Sequence, residues 1–191
     1  MCAFLFGLAS PLFGQGTEKT TESPSPDGEF AFLDTSAPEQ RTLDLIEKKS
    51  EKVLLRLAES EEGRNRLVWK VLWTPDSKRF ALRYSVIRQT GEVAVYFRTG
   101  DTFREVKLPD VPDTVVPDRL KRGKHLEHEA AINSAGVIGW QPDGSLAVEF
   151  VSMVDGAGGS ATATRSVLFG FTPAGKAKIL KSTIKYKVEK D

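Results

Sequence analysis

The chain has 191 residues, 40% of them hydrophobic and 28% charged, with a formal net charge of +1. That length suits one domain with one good core, and the near-neutral balance gives no global pull toward nucleic acid or a membrane surface. A single cysteine, Cys2, excludes an internal disulfide framework and leaves stability to the core.

Ala3 to Phe13 is apolar or small throughout, and Gly14-Gln15-Gly16 offers small residues at a cleavage site. This reads as the apolar region and exit of a secretory signal peptide over residues 1–16, without the usual basic start. It is too short for a bilayer, which takes about 20 residues. Cys2 precedes the apolar stretch, so it does not look like a lipoprotein anchor. Residues 17–24 are polar and read as a flexible linker.

A short phrase then occurs three times. It reads Ser25-Pro26-Asp27-Gly28-Glu29-Phe30-Ala31-Phe32, then Trp73-Thr74-Pro75-Asp76-Ser77-Lys78-Arg79-Phe80-Ala81-Leu82, then Trp140-Gln141-Pro142-Asp143-Gly144-Ser145-Leu146-Ala147-Val148. Proline presets the first corner of a turn, aspartate bonds the backbone two residues on, and glycine takes the left-handed position. Each copy is therefore a hairpin turn feeding an apolar strand. Further alternating strands follow each turn: Thr42 to Ile46 and Val53 to Leu57, then Glu92 to Phe97 and Phe103 to Leu108, then Ser166 to Phe171 and Ala177 to Leu180. The predicted unit is a four-stranded antiparallel meander, repeated over 25–60, 64–108 and 134–191. The first copy lacks the tryptophan and an apolar incoming strand, so it is expected to be incomplete. Ile184 to Val188 is expected to complete that first meander or cap an edge.

The repeated Trp-x-Pro-Asp-Gly pattern resembles the blades of TolB-like β-propellers, over nearly all of residues 25–182. The resemblance implies an all-β fold of partial propeller-like or sandwich-like arrangement, because propellers usually close with about 4–8 blades and three are found. It implies nothing specific about activity. The tryptophans recur with the repeat and are assigned to packing between meanders, as Asp76 and Asp143 are assigned to turns.

Spacing exposes one stretch that the repeat does not explain. Pro26 to Pro75 spans 49 residues and Pro75 to Pro142 spans 67, an excess of 18 that falls on residues 109–129. Insertions in repeat proteins map to one face, often the binding face. The stretch begins proline-rich and continues into a possible short helix capped by Asp118. It carries a basic cluster, Arg119, Lys121, Arg122 and Lys124, suited to an anionic partner, and the only two histidines, His125 and His128. Their spacing does not match the four-apart histidines of zinc hydrolases, so no metal site is assigned. These six residues are the expected binding residues.

Gly156 to Thr162 lacks the Gly-Lys-Ser/Thr ending of a phosphate loop. It is read as a long flexible hairpin loop, with a mobile flap as its functional alternative. Charge is uneven along the chain. Residues 17–62 hold 12 acidic against 6 basic residues, and residues 176–191 hold 6 lysines against 2 acids, which would favour contact between the two ends within or between chains. No nucleophile, acid–base pair or cofactor motif stands out.

The sequence thus points to an exported, non-enzymatic binding or scaffold protein of the bacterial-type envelope. The alternative is a small hydrolase of an envelope polymer, acting through residues 109–129 and 156–162. Expected partners are a protein or an envelope polymer, with no nucleic acid, no transmembrane span and no cofactor. A homodimer through open sheet edges is a further expectation.

Overall fold

The three Pro-Asp turns set the frame of the protein, in a computed structural model that describes residues 17–61, 68–87, 90–122, 126 and 133–189. In the first, the Ser25 hydroxyl donates to Asp27 Oδ1 at 2.6 Å, and the Glu29 N–H donates to the same oxygen at 3.1 Å. Thr74, Asp76 and Lys78 repeat both bonds at 2.7 and 3.1 Å. In the third turn Gln141 has no hydroxyl, and Ser145 serves Asp143 with both its hydroxyl and its N–H, at 2.6 and 3.0 Å. Gly28, Ser77 and Gly144 take the left-handed conformation, with φ of 75°, 56° and 78°. Two glycines do so at no steric cost, while Ser77 carries a Cβ there.

Each turn joins the first two strands of a four-stranded meander. The first meander is β1 (Glu18–Glu22), β2 (Phe30–Ala37), β3 (Gln40–Glu47) and β4 (Lys52–Glu61), and it forms a separate antiparallel sheet in that order. The first copy is therefore complete. Its incoming strand is the polar stretch expected to be a linker, because Glu18–Glu22 pairs along Phe32–Ser36 and its side chains face solvent. The second meander is β5 (Val68–Trp73), β6 (Arg79–Ile87), β7 (Thr90–Thr99) and β8 (Thr102–Val106). The third is β9 (Asn133–Trp140), β10 (Leu146–Gly156), β11 (Gly159–Phe171) and β12 (Ala177–Glu189). These last two share one eight-stranded mixed sheet, joined among the described residues where Thr90 and Gly91 of β7 run parallel to Asn133 and Ser134 of β9. The fold is all-β, and neither sheet closes into a barrel.

Two further expectations are resolved. Ile184 to Val188 does not complete the first meander but lies along the edge of the eight-stranded sheet, the second of the two expected places. It extends β12, paired with β11 from Arg165 to Ala161. Gly156 to Thr162 is not a long loop, since Gly156 pairs with Gly159 and only Ala157 and Gly158 form the turn. The expected signal segment, residues 1–16, lies outside the described residues.

Strand alternation makes the second meander the middle layer. Phe80 and Leu82 point one way, into a core with Phe30, Phe32, Leu43 and Leu45 of the first meander. Ala81 and Val95 point the other way, onto Leu146, Val148, Val167 and Phe169 of the third. The first core is aromatic: Phe32 and Phe80 meet edge-to-face at 5.2 Å, and Trp73 lies 4.9 Å from Phe80. Trp69 and Trp73 both pack in this core, as their four-residue spacing implies. A buried polar contact crosses the same interface. Asp34 of β2 accepts two hydrogen bonds from Arg41, at 2.8 and 2.7 Å, and one from the Trp69 indole at 2.8 Å.

Candidate functional site

A short join between the second and third meanders shapes a cleft. At the join, Gly91 is close-packed. A Cβ there would lie 2.9 Å from the Ala135 carbonyl oxygen and 3.3 Å from the Arg83 guanidinium. Arg83 itself donates from Nε to that carbonyl at 2.8 Å, tying β6 to β9. Beyond Gly91 the two strands part. The same edge of β7 is next paired at Val95, by Val106 of β8, so Glu92, Val93 and Ala94 have no ladder partner on it among the described residues.

The chain leaving β8 closes the opening. Residues 108–115 run along it without regular structure, as their prolines require. Between this strap and the diverging strands lies a cleft of about 800 Å³, within the usual range for ligand sites. Its apolar lining includes Val93, Val111, Phe150 and Phe169, and its polar lining includes Asp110, Asp113, Glu92, Ser134 and Ser152. No lysine, arginine or histidine is among the described residues that line it. Glu92 accepts a hydrogen bond from the Tyr84 phenol at 2.7 Å. Burial, then that carboxylate, push the Tyr84 pKa up to about 12. No group of three His, Cys, Asp or Glu residues able to hold a metal occurs among the described residues.

The strap is anchored where it leaves the cleft. Arg165 of β11 donates to the Asp113 carbonyl oxygen at 3.1 Å and to Ser182 Oγ at 3.1 Å. Past the cleft, Val116 and Leu126 are buried against Val154, Ala161 and Ala163, forming a third small core with Ile184 and Val188. The described part of the insertion thus belongs to the packed structure.

The helix in this stretch is α1 (Asp118–Lys121), four residues long and preceded by Pro117. Asp118 is its first residue and makes no side-chain cap, contrary to the expected capping role. Proline suits the boundary because its missing N–H would have no helical partner there. Of the expected binding residues, Arg119 lies over the Tyr186 ring at 5.8 Å, and Lys121 is paired with Asp118 at 3.5 Å. Arg122 closes the helix through its N–H to the Asp118 carbonyl oxygen. Lys124, His125 and His128 lie outside the described residues. Arg119, Lys121 and Arg122 are not among the residues that line the cleft. The lining comes from the proline-rich half of the same insertion and from strand divergence, which leaves no local mark in a sequence.

No protein-family model matches the chain, and no curated protein sequence matches it. No helix among the described residues is long and apolar enough to cross a membrane.

Proposed function

We propose that the protein is a non-enzymatic binding module, exported to the cell envelope, whose ligand sits in the cleft between the second and third meanders. One observation carries this reading: an open cleft of about 800 Å³ is held by structure built for it. The strap that walls it is fixed by Arg165 and by its own buried residues, Val116 and Leu126. An insertion retained only as slack would need neither anchor. The apolar first 16 residues support export, and the Trp-x-Pro-Asp-Gly repeat supports kinship with the scaffolds of TolB-like propellers.

A hydrolase would need an activated nucleophile or an acid–base pair within hydrogen-bond reach. Glu92 is occupied by Tyr84, and neither Ser134 nor Ser152 is hydrogen-bonded to a carboxylate among the described residues. Binding is therefore the better-supported use of this cleft.

The test is a substitution that fills the cleft from its floor. Val93→Trp should abolish capture of envelope components by the purified protein while leaving its circular dichroism unchanged. Undiminished capture by a folded Val93→Trp protein would remove the cleft from consideration.

A further inference from the structure

The cleft combines three features that together select a ligand class. The first is the unpaired edge of β7 from Glu92 to Ala94, a length of strand that offers backbone bonds only to another extended chain. At about 3.3 Å per residue the gap takes roughly three residues. The second is the apolar floor of Val93, Phe150 and Phe169, which rewards burial of alternate apolar side chains. The third is charge. The strap supplies Asp110 and Asp113, and no cationic side chain among the described residues lines the cleft.

Two guanidiniums, Arg83 and Arg165, lie nearby. Arg83 spends Nε on the Ala135 carbonyl, and Arg165 spends both terminal nitrogens on the Asp113 carbonyl and the Ser182 hydroxyl. Both keep their positive charge, because the groups they hydrogen-bond are neutral. The preference for a cation therefore rests on Asp110 and Asp113 alone, which form no ion pair among the described residues. A neutral glycan would leave the strand edge unused, and an anionic polymer would meet the two strap carboxylates, Asp110 and Asp113. An extended peptide alternating apolar and basic residues uses all three features. Its apolar side chains face the floor, its backbone adds to β7, and its lysines or arginines reach the strap.

Resting on the binding reading above, we infer that the cleft recognises an extended peptide segment in which apolar residues alternate with lysine or arginine, added as a short strand to the free edge of β7 beside Asp110 and Asp113.

The experiment is a titration of the full-length, ¹⁵N-labelled protein followed by NMR. The probes are the capped pentapeptide Lys-Val-Lys-Val-Lys, its Glu-Val-Glu-Val-Glu counterpart, a backbone N-methylated form of the lysine peptide, and a neutral chitooligosaccharide. The lysine peptide is expected to shift the amides of Glu92–Ala94 and of residues 108–115. N-methylation should weaken binding about 10-fold, the worth of one or two lost backbone bonds. The double substitution Asp110→Asn with Asp113→Asn should weaken it about 3- to 10-fold, as expected for two partly exposed charge contacts, with a shallower salt dependence. Equal binding of the glutamate peptide, or shifts mapping away from the cleft, would overturn the inference. Cleft shifts caused by the oligosaccharide alone would overturn it too, but would leave the cleft as the binding site. Silence from every probe in a folded protein would remove both.

Discussion

The indole N–H of Trp140 donates to the carbonyl oxygen of Leu72 at 2.9 Å. Trp140 immediately precedes the turn of the third meander, and Leu72 lies two residues before the turn of the second. The same relation holds one layer earlier, where Trp73 donates to the Ser23 carbonyl oxygen at 3.0 Å. The tryptophan of each repeat thus fixes its meander to the entry of the one before. Pro24 occupies the matching position in the first copy, which has no earlier layer among the described residues.

This bond separates the indole's hydrogen bond from its bulk. Trp73→Phe keeps an aromatic ring beside Phe80 but leaves the Ser23 carbonyl without its donor. A loss of about 1–2 kcal/mol is expected in urea unfolding. Trp73→Ala, which also empties part of the aromatic core, should cost about 3–5 kcal/mol. Equal losses for the two variants would mean that the bond contributes nothing.

Ser77 carries two opposed effects. Its φ of 56° disfavours a side chain, yet its hydroxyl oxygen accepts the Asp27 N–H at 3.0 Å and links the first two turns. Ser77→Ala loses the bond and keeps the strain, so it should destabilise by about 1 kcal/mol. Ser77→Gly loses the bond and releases about 1 kcal/mol of strain, so it should come out near neutral. Denaturation midpoints of the two variants decide the matter by their order.

Acid should loosen the contact between the first and second meanders. Burial raises the Asp34 pKa, but the Arg41 hydrogen bonds, the Trp69 indole and the Arg41 charge together hold it below the ordinary 3.8. A carboxylate with a depressed folded-state pKa contributes stability that is fully present above about pH 5. That contribution is lost as pH falls through 3.8 and then through the folded value. Asp34→Asn should cost about 2 kcal/mol at neutral pH and flatten the acid limb of the stability curve. An unchanged acid limb in the variant would refute the assignment.

The insertion should prove structural as well as functional. Val116 is only 1% exposed, and Val116→Ala should destabilise by about 1–2 kcal/mol. Hydrogen exchange should show the effect concentrated on Val154, Ala161 and Ala163, with the Phe32–Phe80 core little changed. Deleting residues 112–128 removes Val116 and Leu126 together and exposes that small core. Such a deletion therefore tests folding at the same time as binding.

The repeated turns were legible in the sequence because their chemistry is local: proline, aspartate and glycine act within five residues. β1 was not legible. Its residues are polar and solvent-facing, so no alternation marks them, and only pairing with β2 makes Glu18–Glu22 a strand. The turn at Ala157 and Gly158 was hidden for a related reason, since small residues resemble a loop until long partner strands carry them through. The cleft was half legible. Counting residues between prolines located the insertion, but charge and histidine content drew attention to its second half. The half that lines the cleft does so because β7 and β9 part after Gly91, a relationship between strands more than 40 residues apart in sequence.

Among the described residues, almost all strand pairing joins sequence neighbours, with the two-residue β7–β9 contact as the exception. Each meander can therefore close as it leaves the ribosome, with little loop-closure cost. The first, however, is left holding Phe30, Phe32, Leu43 and Leu45 uncovered until Trp69, Trp73 and Phe80 have been made. Synthesis thus passes through an interval in which a finished sheet displays an aromatic face. That interval, rather than the mature protein, is where aggregation or a chaperone would compete.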